Sequence, residues 1–96
     1  MARKLLERRL IELSGRLKRL HEELHVVDEQ LAHLAGEAED ARIRSLVSET
    51  PLADREHREA RKHVEAMQRH RAEVVSEIDK IEASQNDLLD RLASET

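Results

Sequence analysis

The stretch HEELH, His21 to His25, has the residue types and spacing of a zinc hydrolase. Two imidazoles four residues apart lie on one face of a helix and can pinch a metal ion, and the Glu after the first His can take a proton from metal-bound water. A catalytic zinc asks for more: a third protein ligand, an open coordination position and a cleft that holds substrate over the base. His33, His63 and His70 follow at no third-ligand spacing, and the chain has no cysteine. Thiol catalysis, disulfides and Cys-based zinc sites are therefore excluded. In a helix rich in Glu, His and Leu the HExxH pattern arises easily by chance. His21 and His25 read as solvated side chains, and no catalytic residue, cofactor or metal site is expected. His57 reads as a packed or capping residue. His63 and His70, one heptad apart, read as partial charge partners of an acidic block.

The elements that carry these residues follow from composition. The chain has 96 residues, 40% of them charged, and no Phe, Tyr or Trp. Without aromatics to fill a centre, a chain dense in Ala, Glu, Lys, Leu and Arg folds as long helices or coiled coil with a thin core. Leu6, Leu10, Leu13, Leu17, Leu20, Leu24, Val27, Leu31 and Leu34 follow a 4-3 alternation that Ala38 and Ala41 continue. That is a heptad seam, and beyond Ala41 its phase slips. A second seam runs through Ala53, His57, Ala60, Val64, Met67, Arg71, Val74, Ile78, Ile81, Gln85, Leu88 and Leu92, with Arg71 and Gln85 as polar interruptions. Pro51 biases Thr50 away from helix and suits the first position of a new one, with Thr as its cap.

The expected fold is all-α, a single domain over 1–96: a helix over 2–47, a turn over 48–50 and a helix over 51–94, paired as an antiparallel coiled-coil hairpin. With the turn centred near Glu49, Leu6 faces Leu92, Leu10 faces Leu88, Leu17 faces Ile81 and Leu24 faces Val74. The charge pattern agrees. Residues 1–20 carry seven Lys/Arg and two Glu, whereas residues 21–40 carry seven acids and no Lys or Arg. Folding back sets the basic start beside the acidic end, and the acidic block beside Arg61, Lys62, Arg69 and Arg71. Such complementarity fixes orientation and register more than it adds stability. Arg71, beside Asp28 and Glu29, reads as a register device, and Gln85 likewise.

These features also narrow the classes of function. The basic start could attract phosphates, but the formal net charge is −4 and no aromatic exists to stack a base, so no direct nucleic-acid binding is expected. The opening MARKLLERRL is too charged for a signal peptide, and no stretch is apolar enough to span a bilayer. The expectation is a cytoplasmic protein without a membrane role. A lone two-helix hairpin buries one stripe per helix, which favours self-association. A homodimer in the form of a four-helix bundle is expected, supported by Ala35, Val75 and Leu89 beside the seam. Ile43, Leu46, Val47 and Leu52 gather at the turn. With Glu49, Asp54 and Glu56 as a charged rim, they form the candidate surface for a protein partner or a second chain.

TPLADREHREA, residues 50–60, and RHRAEVVSEIDKIE, residues 69–82, resemble the descending arm of the hairpin in the DksA/TraR transcription factors. The resemblance rests on Pro51, Asp54 and Arg55. It implies a finger whose acidic tip enters the secondary channel of bacterial RNA polymerase, and so a role in transcription regulation. Glu56 stands where that family commonly has Ala after the tip Asp, the Pro-to-Asp spacing differs, and the four-Cys zinc finger is absent.

Overall fold

The computed structural model describes residues 2–95. It contains two helices, α1 (Ala2–Ser48) and α2 (Pro51–Ser94), and no strand among the described residues. The fold is the expected all-α antiparallel hairpin. None of its helices is long and apolar enough to cross a membrane.

The turn is shorter than the sequence suggests because α1 continues through Ser48 and leaves Glu49 and Thr50 as the link. Glu49 ends the helix in the left-handed region, at φ 50°. Its N–H donates to the carbonyl of Ser45 at 3.1 Å, which satisfies one of the carbonyls that every helix end leaves open. Thr50 then caps α2. Its Oγ1 accepts from the N–H of Ala53 at 3.2 Å, and its carbonyl accepts from the N–H of Asp54 at 3.1 Å. Pro51 occupies the first helical position, where its missing N–H costs nothing, and Asp54 puts an acid in the first turn, facing the positive end of the helix dipole.

The hairpin divides into two compact units, residues 1–24 with 73–96, and residues 25–72. In the first, Leu13, Ile81 and Leu88 are buried at 2%, 4% and 8% exposure, and Leu6, Leu10, Leu17 and Leu20 pack around them. Each such side chain, when fully covered, contributes roughly 1.5–3 kcal/mol. Val74 and Ile78 are buried as well. Gln85, half-buried in the seam, donates to Ser14 Oγ at 3.2 Å, so its amide leaves water with a partner. Arg16 Nη2 lies 3.9 Å from Glu77 Oε2 along the flank.

The second unit has smaller contents. Val27, Ala41 and Ala53 are its buried apolar residues, and the seam around them is half-buried Leu31, Leu34, Ala38, His57, Ala60, Val64 and Met67. The 4-3 alternation does not end at Ala41. It continues to Ser45, half-buried, whose hydroxyl donates to the carbonyl of Arg42 at 2.7 Å. Arg71 interrupts the seam as the register reading requires, with Nε donating to Asp28 Oδ1 at 2.6 Å. The pair is about half exposed, so it specifies alignment more than it stabilises.

Two glycines stand in α1 without a use inside the hairpin. Each costs about 1 kcal/mol of helix stability against Ala. A Cβ on Gly36 would meet nothing within 4 Å, and one on Gly15 would come no closer than 3.6 Å to Arg19 Nη1.

Two outcomes are expected. With Leu10→Cys and Leu88→Cys in one chain, mild oxidation should give a disulfide within that chain and raise the urea midpoint. Links solely between chains, read by mass spectrometry, would mean exchanged helices. Glu49→Gly should stabilise the hairpin by about 0.5–1 kcal/mol in urea melts, because the left-handed strain relieved exceeds the added freedom of the unfolded chain.

Candidate functional site

The HEELH residues lie on the surface of α1. His21, Glu22 and His25 are all exposed, since Leu20 and Leu24 occupy the seam between them. His25 does not turn back to His21. Its Nε2 lies 2.9 Å from Glu29 Oε1, one turn onward, and His33 makes the same i, i+4 contact with Glu37 at 3.1 Å. Among the described residues no three His, Asp or Glu side chains are grouped to hold a metal ion. What this arrangement offers is a pair of surface contacts, each worth about 0.2–0.5 kcal/mol when the imidazole is charged.

The turn end differs in kind. Ile43 is 48% exposed, Leu46 63%, Val47 80% and Leu52 63%. Ile43, Leu46 and Val47 stand at i, i+3 and i+4 on the last two turns of α1, which makes them neighbours on one outward face. Leu52 is the second residue of α2, across the two-residue link. Glu49 and Asp54 are exposed beside them. Glu56 is placed elsewhere: it lines a flank cleft of about 400 Å³ with Glu37, Asp40, Ala41, Arg44 and Ala60. On another flank a groove of about 360 Å³ has Ala35, Ala38 and Val64 in its lining with His57 and Arg61. There Arg42 grips both carboxylate oxygens of Glu39, Nε to Oε2 at 3.0 Å and Nη2 to Oε1 at 2.6 Å. Those hydrogen bonds hold the Glu39 carboxyl below its ordinary range and push the Arg42 guanidinium up.

No protein-family model, curated protein or solved structure matches this chain.

The apolar surface is larger than the turn cluster. Leu5 is 65% exposed, Ile11 72% and Val26 50%, all on α1, and Leu89 on α2 is 53% exposed. Leu89 stands beside the seam as expected, and Val75 is half-buried. Leu5, Ile11 and Val26 were legible once α1 is numbered by heptad. They occupy the positions farthest from the seam, where a solvated helix carries polar side chains. Their scattered spacing hides them from a search for apolar runs.

Replacing His21 and His25 together by Gln should change stability by less than about 0.5 kcal/mol, since both side chains are exposed. Stoichiometric zinc should leave the melting temperature of either form where it was. A rise of many degrees, lost in the double variant, would show a metal site.

Proposed function

We propose that the protein is a non-catalytic coiled-coil interaction module whose turn end docks on a protein surface, a partner's or that of a second copy. The observation that carries this reading is the 48–80% exposure of Ile43, Leu46, Val47 and Leu52 at the turn end. Contiguous apolar side chains left in water commonly mark contact sites. The local seam, reduced to Ala38, Ala41, Ala53 and Ala60 with Ser45 and His57, offers them little bulk to fold against. The left-handed Glu49 adds to the case, because strained backbone concentrates at functional sites. In this reading the protein works in the cytoplasm without a cofactor, nucleic-acid contact or membrane, and its acidic residues Glu49 and Asp54 set the orientation of the contact.

A second reading shares the same end of the molecule. Asp54 is exposed in the first turn of α2, directly after the Pro51 start. The resemblance to DksA/TraR implies that such an acid acts within the RNA polymerase secondary channel, although the Pro-to-Asp spacing here differs from that family's. Asp54→Ala would abolish an effect on transcription in that case and leave apolar docking largely intact.

The test of the leading reading is the double change Leu46→Ser with Val47→Ser. Both side chains are exposed, so the hairpin should keep its helicity. Covering them supplies about 2–4 kcal/mol, so self-association or partner capture should weaken by roughly 30-fold or more. Wild-type strength in both sedimentation and pull-down would move the function to a flank.

A further inference from the structure

The charges of α1 in the first unit divide into those already engaged and those left over. Its first twenty residues hold two acids, Glu7 and Glu12, against seven Lys and Arg. Arg3 lies 3.3 Å from Glu7 and Arg9 lies 3.1 Å from Glu12, so both acids are taken. Arg16 reaches across to Glu77 of α2 at 3.9 Å. Lys4, Arg8, Lys18 and Arg19 remain, all exposed and none with an ion pair or side-chain hydrogen bond among the described residues. Counted at about 3.6 residues per turn, Lys4, Arg8, Ile11, Gly15, Lys18 and Arg19 fall within an arc of about 100° on the side of α1 away from the seam. Ile11 stands in the middle of that arc, 72% exposed, and Leu5, 65% exposed, borders it. A Cβ on Gly15 would meet Arg19 Nη1 alone, at 3.6 Å, so only the end of a flexible side chain lies over its backbone.

The four cations form two pairs, Lys4 with Arg8 and Lys18 with Arg19, whose centres are about 19 Å apart along the axis. The charges alone suit any anion. The apolar residue and the glycine between them narrow the occupant. Two groups of carboxylates at that separation, with an apolar side chain between them, are what an acidic amphipathic helix presents. Acids at i and i+4 on such a helix reach Lys4 and Arg8, and Gly15 lets the two backbones come close. A phosphate backbone would answer the cations but offers nothing apolar to Ile11, and the chain has no aromatic residue to stack a base. A helix lying in a lipid surface needs a continuous apolar face, whereas Ile11 here is flanked by cations. A second copy does not supply the pattern either. Glu29, Glu37 and Glu39 are held by His25, His33 and Arg42. Asp79 and Asp90, on the outer side of α2, have Lys80, Ala83 and Asn86 between them, one a cation and none a large apolar residue.

We propose that the outward face of α1 from Lys4 to Arg19 docks an acidic amphipathic helix of another protein, its carboxylates on the two cation pairs and its apolar centre on Ile11 beside Gly15. The surface lies wholly within the first unit, whereas the exposed turn residues belong to the second, so this reading and that of the turn end stand or fall separately.

The probe is a labelled helical peptide of about 18 residues, with Glu at both ends of one face and Leu between them, and binding is read by fluorescence anisotropy. The whole chain should bind it at least ~10-fold more tightly than a peptide of the same composition in scrambled order, and added salt should weaken the binding. Arg8→Gln with Arg19→Gln, and separately Ile11→Ser, should each raise the dissociation constant at least ~5-fold. Helicity and the urea midpoint should stay close to wild type in both variants, since all three side chains are exposed. Equal binding of the ordered and scrambled peptides would mean unspecific charge attraction and would overturn the proposal. Wild-type affinity in both variants would do the same. Tighter binding to vesicles of anionic phospholipid or to duplex DNA than to the peptide, at the same salt, would assign the surface to phosphate instead. Sedimentation of the chain alone completes the test: the Arg8→Gln, Arg19→Gln variant should keep the wild-type oligomeric state, and self-association lost in that variant would give the surface to a second copy.

Discussion

One stripe of apolar contact holds this molecule together. Without an aromatic residue there is no bulky centre, and the buried contacts between the helices are made by aliphatic side chains at the two inward heptad positions. The consequence is a protein whose surface is most of its substance. Eight side chains form the buried apolar core, and no buried side-chain polar atom lacks a partner among the described residues. The clefts described along its flanks, of about 360 and 400 Å³, are lined by charged residues together with Ala35, Ala38, Ala41, Ala60 and Val64.

The polar residues admitted to the stripe are the ones that decide alignment. Arg71 and Gln85 each reach a side chain on α1, Asp28 and Ser14. Sliding one helix by a heptad would separate both pairs, which favours the observed register. The ion pair Arg16–Glu77, long and exposed, has no such leverage.

Most of this architecture could be read from the sequence because heptad periodicity is a local signal repeated many times. The seam residues from Leu6 to Ala41 and from Ala53 to Leu92 are all buried or half-buried. The reading fell short where the signal was not apolar. Ser45 continues the seam, but a serine says nothing in a hydrophobic pattern. The left-handed Glu49 was invisible for a related reason: that conformation is advertised by Gly or Asn, and Glu carries no such mark. Leu5, Ile11 and Val26 were missed because attention to the seam treats the opposite face as solvent by default. Of the turn residues, Ile43, Leu46, Val47 and Leu52 are exposed as the sequence suggested, whereas Glu56 faces a flank cleft. Glu56 is the sixth residue of α2, where helical periodicity sets the direction of its side chain.

The uneven filling of the two units bears on how the chain reaches this state. Contacts near the link are local in sequence, yet they are made by alanines and begin from a strained Glu49. The leucine cluster that repays the chain lies at the far end of both helices, where partners such as Ser14 and Gln85 are 71 residues apart. Zipping from the turn therefore runs uphill before it runs down, with loop entropy and helix ordering spent ahead of the strongest burial. The strongest burial, at Leu13, Ile81 and Leu88, is therefore reached only when residues far apart in sequence come together.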